Sequence, residues 1–290
     1  MGAGLDAYAL LDAMMANTDS IQFLQATLPH LGLQWQGFRK VRGQVLKRIK
    51  RRLRELGLPD VSAYGAYLEC HAEEWGILDG FCHISVSRFY RDKRVFDVVL
   101  QEVLVRLAQR VQISQTHVLR CWSAGCASGE EAYTLNLAWH LSLAHRFPDV
   151  QLQIIATDAS PHMLSRARQG RYAWQSVKDV PPHWIEAGFE RHNSDYYVRD
   201  AYRDIQFVVQ DIRQELPKTH FHLVLCRNLV FTYFATPLQR EILSQISARL
   251  LSDGILVIGT HESLPPDSPD FVAEADQGAL GLYRKVVKPQ

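Results

Sequence analysis

The sequence has almost no net charge, few cysteines and no long apolar run, and each absence excludes a class of protein. Lys and Arg number 32 against 31 Asp and Glu, so no overall field attracts nucleic acid. The five cysteines are scattered and form no CxxC pair, which excludes a zinc knuckle or a dithiol redox motif. No stretch approaches about 20 consecutive apolar residues, so we expect no insertion into a membrane. With 17 glycines and 12 prolines in 290 residues, the chain is not of low complexity.

Two further absences concern location and metals. The first twenty residues lack the basic segment and the uninterrupted apolar run of a secretion signal, which with the unpaired cysteines predicts a cytoplasmic protein. The histidines at 220, 222 and 261 have no partners at metal-ligand spacing. We therefore expect no metal site.

Apolar residues recur every three or four positions from residue 5 to about 110, which predicts an α-helical first half. Within it, 38–58 forms an amphipathic pattern whose apolar stripe is Val41, Val45, Ile49 and Leu53. Nine Lys or Arg residues fall in 39–54 without one acid among them. This basic helix is either a solvated face or a docking surface for an acidic, helical protein.

After residue 111, short apolar runs alternate with segments of helical length, which predicts a mostly parallel sheet with helices on both faces. The expected strands are 117–123, 151–157, 205–210, 221–226, 255–260 and 281–287, and the expected helices are 129–145, 161–168 and 236–251. Residues 171–204 interrupt the alternation and form a small excursion. We therefore predict a helical domain at 1–80, a connecting segment at 81–110 and a doubly wound α/β domain at 111–290.

The first expected strand runs into a glycine turn, SAGCASGEE, and ligands of such sheets bind beyond the strand ends. Gly125 and Gly129 allow a ligand to approach the backbone, although such a turn is also an ordinary tight corner. The turn is neither GxGxxG nor a P-loop, and Glu130 and Glu131 would repel a pyrophosphate. Two acids suit the ammonium and sulfonium of S-adenosylmethionine instead.

Polar residues follow three more of the expected strands. Asp158 ends 151–157, where a carboxylate can accept hydrogen bonds from both ribose hydroxyls; the alternative is a helix cap, for which Ser160 is better placed. Asp211 follows 205–210, and the pair 227–228 (Arg-Asn) follows 221–226. Together the polar residues at these strand ends predict contacts with the adenine edge and with the tail of the ligand.

Several long motifs in a fixed order resemble the CheR family of S-adenosylmethionine-dependent methyltransferases, which esterify glutamate side chains of chemotaxis receptors. The motifs are SRFYRD (87–92), WSAGCASGEEAYTL (122–135), ATDAS with RARQGRY (166–172), VPPHW (180–184), LCRNLVFTYF (225–234) and GTHESL (259–264). The resemblance implies a Rossmann-like sheet preceded by an all-α domain. It also implies S-adenosylmethionine as the cofactor, with S-adenosylhomocysteine as the product.

The resemblance also implies roles for individual residues. Contacts with the cofactor are implied for Glu130, Asp158, Asp211, Ile212, Arg227 and Asn228. The SRFYRD segment is expected to form the roof of the site, with Ser85 and Ser87 at the positions of a family Asn and Thr that help to hold the cofactor. Arg91 stands beside the transferred methyl group, and Tyr233 occupies the family tyrosine; these two are the expected catalytic residues.

This chain departs from the family pattern at the mouth of the expected site. Asp211 replaces a more usual Asn, the two serines replace Asn and Thr, and Tyr90 replaces a Phe. Three hypotheses follow. The leading one is a carboxyl O-methyltransferase acting on protein glutamate. The second is a methyltransferase for a small molecule on the same scaffold, and the third is a non-catalytic regulator that binds the cofactor or its product.

Overall fold

The computed structural model describes residues 18–274 and 278–286, which form two compact units. The first unit comprises the described residues up to Ile84 together with Thr232–Ala235. The second comprises the remaining described residues, from Ser85 onward. The division into domains at 1–80, 81–110 and 111–290 stays a proposal.

The first unit is helical. Its elements are α1 (18–27), a 3₁₀ turn (Leu28–Leu31), α2 (Trp35–Phe38), α3 (Arg42–Leu56), α4 (Val61–Cys70) and α5 (Glu74–Cys82). The basic helix expected from the sequence is α3, and Val45, Ile49 and Leu53 on its apolar stripe are buried. It ends at Gly57, whose φ of 68° gives the left-handed C-cap that glycine adopts without strain.

Two of the nine cations in 39–54 face inward. Arg52 donates to both carboxylate oxygens of Glu74, at 2.9 and 2.8 Å, and Tyr64 donates to the same carboxylate at 2.7 Å. The bond from Arg52 holds the pKa of Glu74 below its usual value although the group is buried. Arg48 donates to the carbonyls of Phe81 and His83 at the end of α5. The apolar stripe and these two arginines together fix α3 on its neighbours.

The second unit contains a seven-stranded sheet in the order β6-β2-β1-β7-β8-β10-β9. Its strands are β1 (Val118–Ala124), β2 (Gln151–Asp158), β6 (Gln206–Val209), β7 (Phe221–Leu225), β8 (Leu250–Val257), β9 (Phe271–Ala273) and β10 (Leu282–Lys285). The first five strands in the sheet order are parallel, whereas β10 runs antiparallel to both β8 and β9. The predicted Rossmann-like α/β fold preceded by helices is therefore confirmed.

The helices of this unit include some that pack on this sheet and some that pack on the strands of the excursion. They are α6 (Lys93–Val98), α7 (Leu104–Ile113), α8 (Glu130–Ala138), α9 (Pro161–Gln169), α10 (Trp174–Val177), α11 (Pro182–Gly188), α12 (Val230–Tyr233) and α13 (Thr236–Arg249). The last two residues of α12 cluster with the first unit. The strand order reverses between β1 and β7, so the crevice for a ligand is expected beyond the carboxyl ends of these two strands.

The excursion at 171–204 forms a separate antiparallel sheet in the order β3-β5-β4, with strands β3 (Arg171–Ala173), β4 (Phe189–His192) and β5 (Asp195–Val198). Most expected elements match the observed bounds within two residues, whereas two differ by more. The helix expected at 129–145 gives way to a π-helical turn at Trp139–Leu143. Strand β8 begins at Leu250, five residues earlier than expected, because the polar residues before Ile255 lie in a bulge where Asp253 has a φ of 55°.

Candidate functional site

The glycine turn after β1 is shaped by two residues that cannot carry a side chain there. Gly125 has a φ of 72°, and a Cβ on it would lie 2.5 Å from Leu229 Cδ2. Gly129 has a φ of 89°, and its Cβ would lie 2.9 Å from the Cβ of Ala167. The amides of Gly125 and Cys126 both donate to the carbonyl of Thr157, which ties the turn to β2. Glycine at position 125 therefore lets the side chain of Leu229 pack against the turn.

Asp158 is the last residue of β2 and fixes the loops on both sides of it. Its Oδ2 accepts from the amide of Ala127 at 2.9 Å, and its Oδ1 accepts from the amide of Ser160 at 2.8 Å. Ser160 caps α9 through Met163, so the helix cap is supplied by the serine and not by Asp158. Asp158 is partly exposed, and a carboxylate, which only accepts hydrogen bonds, suits the hydroxyls of a ribose.

Glu130 opens α8 and is 3% exposed. Ser128 Oγ lies 3.0 Å from both of its carboxylate oxygens, and Ser176 Oγ donates to Oε1 at 3.2 Å. Among the described residues, no Lys, Arg or His lies within ion-pair distance of this carboxylate. A buried carboxylate is costly without an opposite charge, so the position suits a ligand that brings an ammonium or a sulfonium.

Arg227 follows β7 and holds the roof segment against the sheet. Its side chain is 3% exposed and donates to Asp92 at 2.6 Å, to Glu131 at 3.1 Å and to the carbonyl of Arg91 at 3.2 Å. The guanidinium also lies 5.3 Å from the ring centre of Phe96. Its Nε is buried and has no hydrogen-bond partner among the described residues, so one donor remains for a ligand. Arg227 thus stabilises the roof segment, and its contact with the cofactor stays a prediction.

The roof segment is anchored by its aromatic residues. Phe89 and Tyr90 are buried, and the amide of Tyr90 donates to Thr134 Oγ1 on α8 at 3.1 Å. The hydroxyl of Tyr90 donates to Asp97 at 2.8 Å, and burial together with this bond raises the pKa of Tyr90. Arg91 Nη1 donates to the carbonyl of Val86 at 2.9 Å. The side chain of Arg91 therefore bonds within its own segment, and Arg91 is partly exposed.

The two serines expected in the roof lie in the same irregular segment. Ser85 and Ser87 are partly exposed and precede the buried Phe89. Their role in holding the cofactor stays a prediction.

The residues expected at the adenine side have partners that the sequence did not reveal. The carboxylate of Asp211 forms an ion pair with the guanidinium of Arg213, whose Nη2 lies 2.7 Å from Oδ2. Ile212 beside it is buried. Asn228 adopts a φ of 56°, and its main-chain N–H donates to Glu262 Oε2 at 2.9 Å.

Tyr233 belongs to the first unit, where its carbonyl accepts from the amide of Gln34 at 2.8 Å and its ring lies 5.0 Å from that of Phe38. This packing requires Gly37, because a Cβ there would lie 2.1 Å from the carbonyl oxygen of Thr232. Arg91 belongs to the second unit. The catalytic role expected for Tyr233 therefore stays a prediction.

The residues of the second unit thus form an acidic edge beyond the carboxyl ends of β1, β2 and β6. The buried Glu130 fits the ammonium of a cationic nucleoside such as S-adenosylmethionine, and the orphaned Nε of Arg227 fits an acceptor group of the same ligand. Within the described ranges, no three His, Cys, Asp or Glu side chains cluster as a metal site would need. Nor does any helix in 18–274 or 278–286 have the length and apolar character needed to cross a bilayer.

Comparison with known proteins supports this interpretation. Residues 85–277 match the family described as CheR methyltransferase, SAM binding domain. The chain is 30% identical to the putative methyltransferase Cher3 of Pseudomonas putida over 263 residues, which cover 87% of this chain and 89% of that protein. It is 28% identical to the chemotaxis protein methyltransferase of Escherichia coli over 233 residues, 77% of each chain.

Another relative is much longer than this chain. The chain is 32% identical over 232 residues to an uncharacterized 104.1 kDa protein of Rhodobacter capsulatus. The match covers 79% of this chain and spans about a quarter (24%) of the length of that relative.

Replacing Asp158 with Ala is expected to weaken S-adenosylhomocysteine binding by about 100-fold, because the ribose loses an acceptor and two loop amides lose theirs. Calorimetric titration of the purified variant measures the change. Asp149→Ala, on the exposed loop before β2, is the matched control and is expected to bind as the unmodified protein does. A normal isotherm from Asp158→Ala would show that the nucleoside binds elsewhere.

Proposed function

The chain belongs to the CheR methyltransferase family and is an S-adenosylmethionine-dependent methyltransferase, and from this premise we propose that it esterifies glutamate side chains of a protein. The observation that supports the proposal most is the placement of Arg91. Arg227 clamps the backbone carbonyl of Arg91 and the carboxylate of its neighbour Asp92 on the acidic edge. The backbone of Arg91 is fixed in this way, and its partly exposed side chain has further N–H donors that can bind a carboxylate acceptor through charge-assisted hydrogen bonds.

Methyl transfer to a carboxylate acceptor needs no acid–base catalysis from the protein. A glutamate side chain, with a pKa near 4.3, is already ionised at neutral pH and needs no general base. When bound, S-adenosylmethionine supplies a methyl group on a cationic sulfur, which leaves as a neutral thioether. The contribution left to the protein is positioning and the exclusion of water.

Different residues of this chain position the cofactor, the roof and the acceptor. Asp158 and Glu130 hold the nucleoside and its ammonium, and the buried aromatic pair at 89–90 keeps the roof in place. Arg91 orients the acceptor carboxylate. The name of the E. coli relative, chemotaxis protein methyltransferase, supports a protein acceptor in chemotaxis.

An Arg91→Ala variant is expected to lose about 100-fold in methyl transfer to an acidic protein acceptor, because the carboxylate is no longer oriented. Its affinity for S-adenosylhomocysteine should change far less. The assay follows a radiolabelled methyl group and its release as methanol in mild alkali, the behaviour of an ester. Arg94→Ala, at an exposed neighbouring position, is the control. A label that resists alkali, or transfer only to a small metabolite, would contradict the proposal.

We further propose that α3 docks the protein substrate. Arg48 and Arg52 bind within the first unit, and Arg51 lies 3.6 Å from Glu55. Lys47 and Lys50 are exposed on the same helix. The exposed cations give the helix a positive outer face, which favours an acidic partner.

Reversal of two of these charges, Lys47→Glu with Lys50→Glu, is expected to lower kcat/KM for the protein acceptor about tenfold at low salt, and less at high salt because ions screen the attraction. The affinity for S-adenosylhomocysteine should stay unchanged. Lys218→Glu with Arg240→Glu makes the same change of net charge at exposed positions of the second unit and is the control. Equal losses from both double variants would remove the docking role of α3.

A further inference from the structure

One serine of the excursion bonds to both the carboxylate of Glu130 and the roof segment. Ser176 lies on α10, a helix of four residues that follows β3. Its hydroxyl donates to Glu130 Oε1 at 3.2 Å, and its main-chain carbonyl accepts from the amide of Phe89 at 2.9 Å. The residue therefore bonds at the same time to the carboxylate on α8 and to the roof segment.

The carboxylate of Glu130 depends on hydroxyl donors. It is buried, and its side-chain partners are Ser128, which precedes it on the glycine turn, and Ser176 from the excursion. A carboxylate with two hydroxyl donors has a fixed orientation, whereas one with a single donor at its own loop can rotate. Ser176 is the partner that comes from outside the turn.

The excursion is also tied to the turn and the roof near Ser176. Tyr172 on β3 donates its hydroxyl to the carbonyl of Ser128 at 2.6 Å. The ring of Phe89 packs edge-on against Tyr172, with centres 4.7 Å apart, and against Phe189 at 5.2 Å. Movement of α10 would therefore change the position of both the roof and Glu130.

We propose that Ser176 is a positioning residue that fixes Glu130 for the ammonium group of the cofactor and makes the excursion part of the cofactor site. This inference rests on the proposed role of Glu130 in holding the cofactor. Ser176 acts through that carboxylate and through the amide of Phe89, and it does not itself take part in methyl transfer. The consequence is that the excursion influences cofactor affinity.

The first test compares hydroxyl-bearing and hydroxyl-free variants by calorimetric titration with S-adenosylhomocysteine. Ser176→Ala is expected to weaken binding about tenfold, because a hydrogen bond to a charged group is lost. Ser176→Thr keeps a hydroxyl and should restore binding to within about twofold. Ser247→Ala removes another hydroxyl–carboxylate bond, from Ser247 to Asp270 at 2.9 Å, and is the control for loss of stability alone.

The second test is a double-mutant cycle with Glu130→Gln. If Ser176 acts through the carboxylate, Ser176→Ala should weaken binding by less than about twofold in the Glu130→Gln background. The inference is overturned if Ser176→Ala lowers the melting temperature as Ser247→Ala does without changing affinity, or if the full loss persists in the double variant. If Glu130→Gln alone leaves affinity unchanged, the assignment of Glu130 to the cofactor fails as well, which separates the two failures.

Discussion

The structure depends on acidic side chains held at the carboxyl edge of a parallel sheet. Removing a carboxylate from water is costly unless donors or an opposite charge replace the lost solvation. Here Glu131 is paired with Arg227, and the carboxylate of Asp158 accepts from two backbone amides. Glu130 is buried with hydroxyl donors alone among its described side-chain partners. The edge is therefore prepared for a ligand that carries positive charge, as the cofactor of this family does.

Three segments far apart in the sequence keep this edge in place. Arg227 connects the end of β7 to Asp92, 135 residues earlier in the chain, and to Glu131 on α8. The buried aromatic pair at 89–90 anchors the roof, while Ser176 connects the excursion to both. These hydrogen bonds and the aromatic packing are in place without a ligand, which reduces the ordering cost of binding.

Much of this arrangement could be predicted from the sequence, and the reasons are physical. Polar residues that directly follow apolar runs, such as Asp158 and Asp211, indicated where the strands end, and the parallel fold brings such ends to one edge. The partners of those residues could not be predicted. No sequence pattern predicts the ion pairs Arg213–Asp211 and Arg227–Asp92, because tertiary packing determines which of the many arginines lies near a given carboxylate. The bulge at Asp253 was missed for a similar reason, since its polar residues suggested a loop rather than a strand.

In the proposed site, the ammonium group of the bound nucleoside supplies the opposite charge that the buried carboxylate of Glu130 needs. The most direct measurement compares, by calorimetric titration of the unmodified protein, S-adenosylhomocysteine with an analogue that lacks only the amino group. The account predicts a single site and binding of the analogue that is weaker by about tenfold or more, because a buried charge loses its partner. Equal affinities for the two compounds would contradict it.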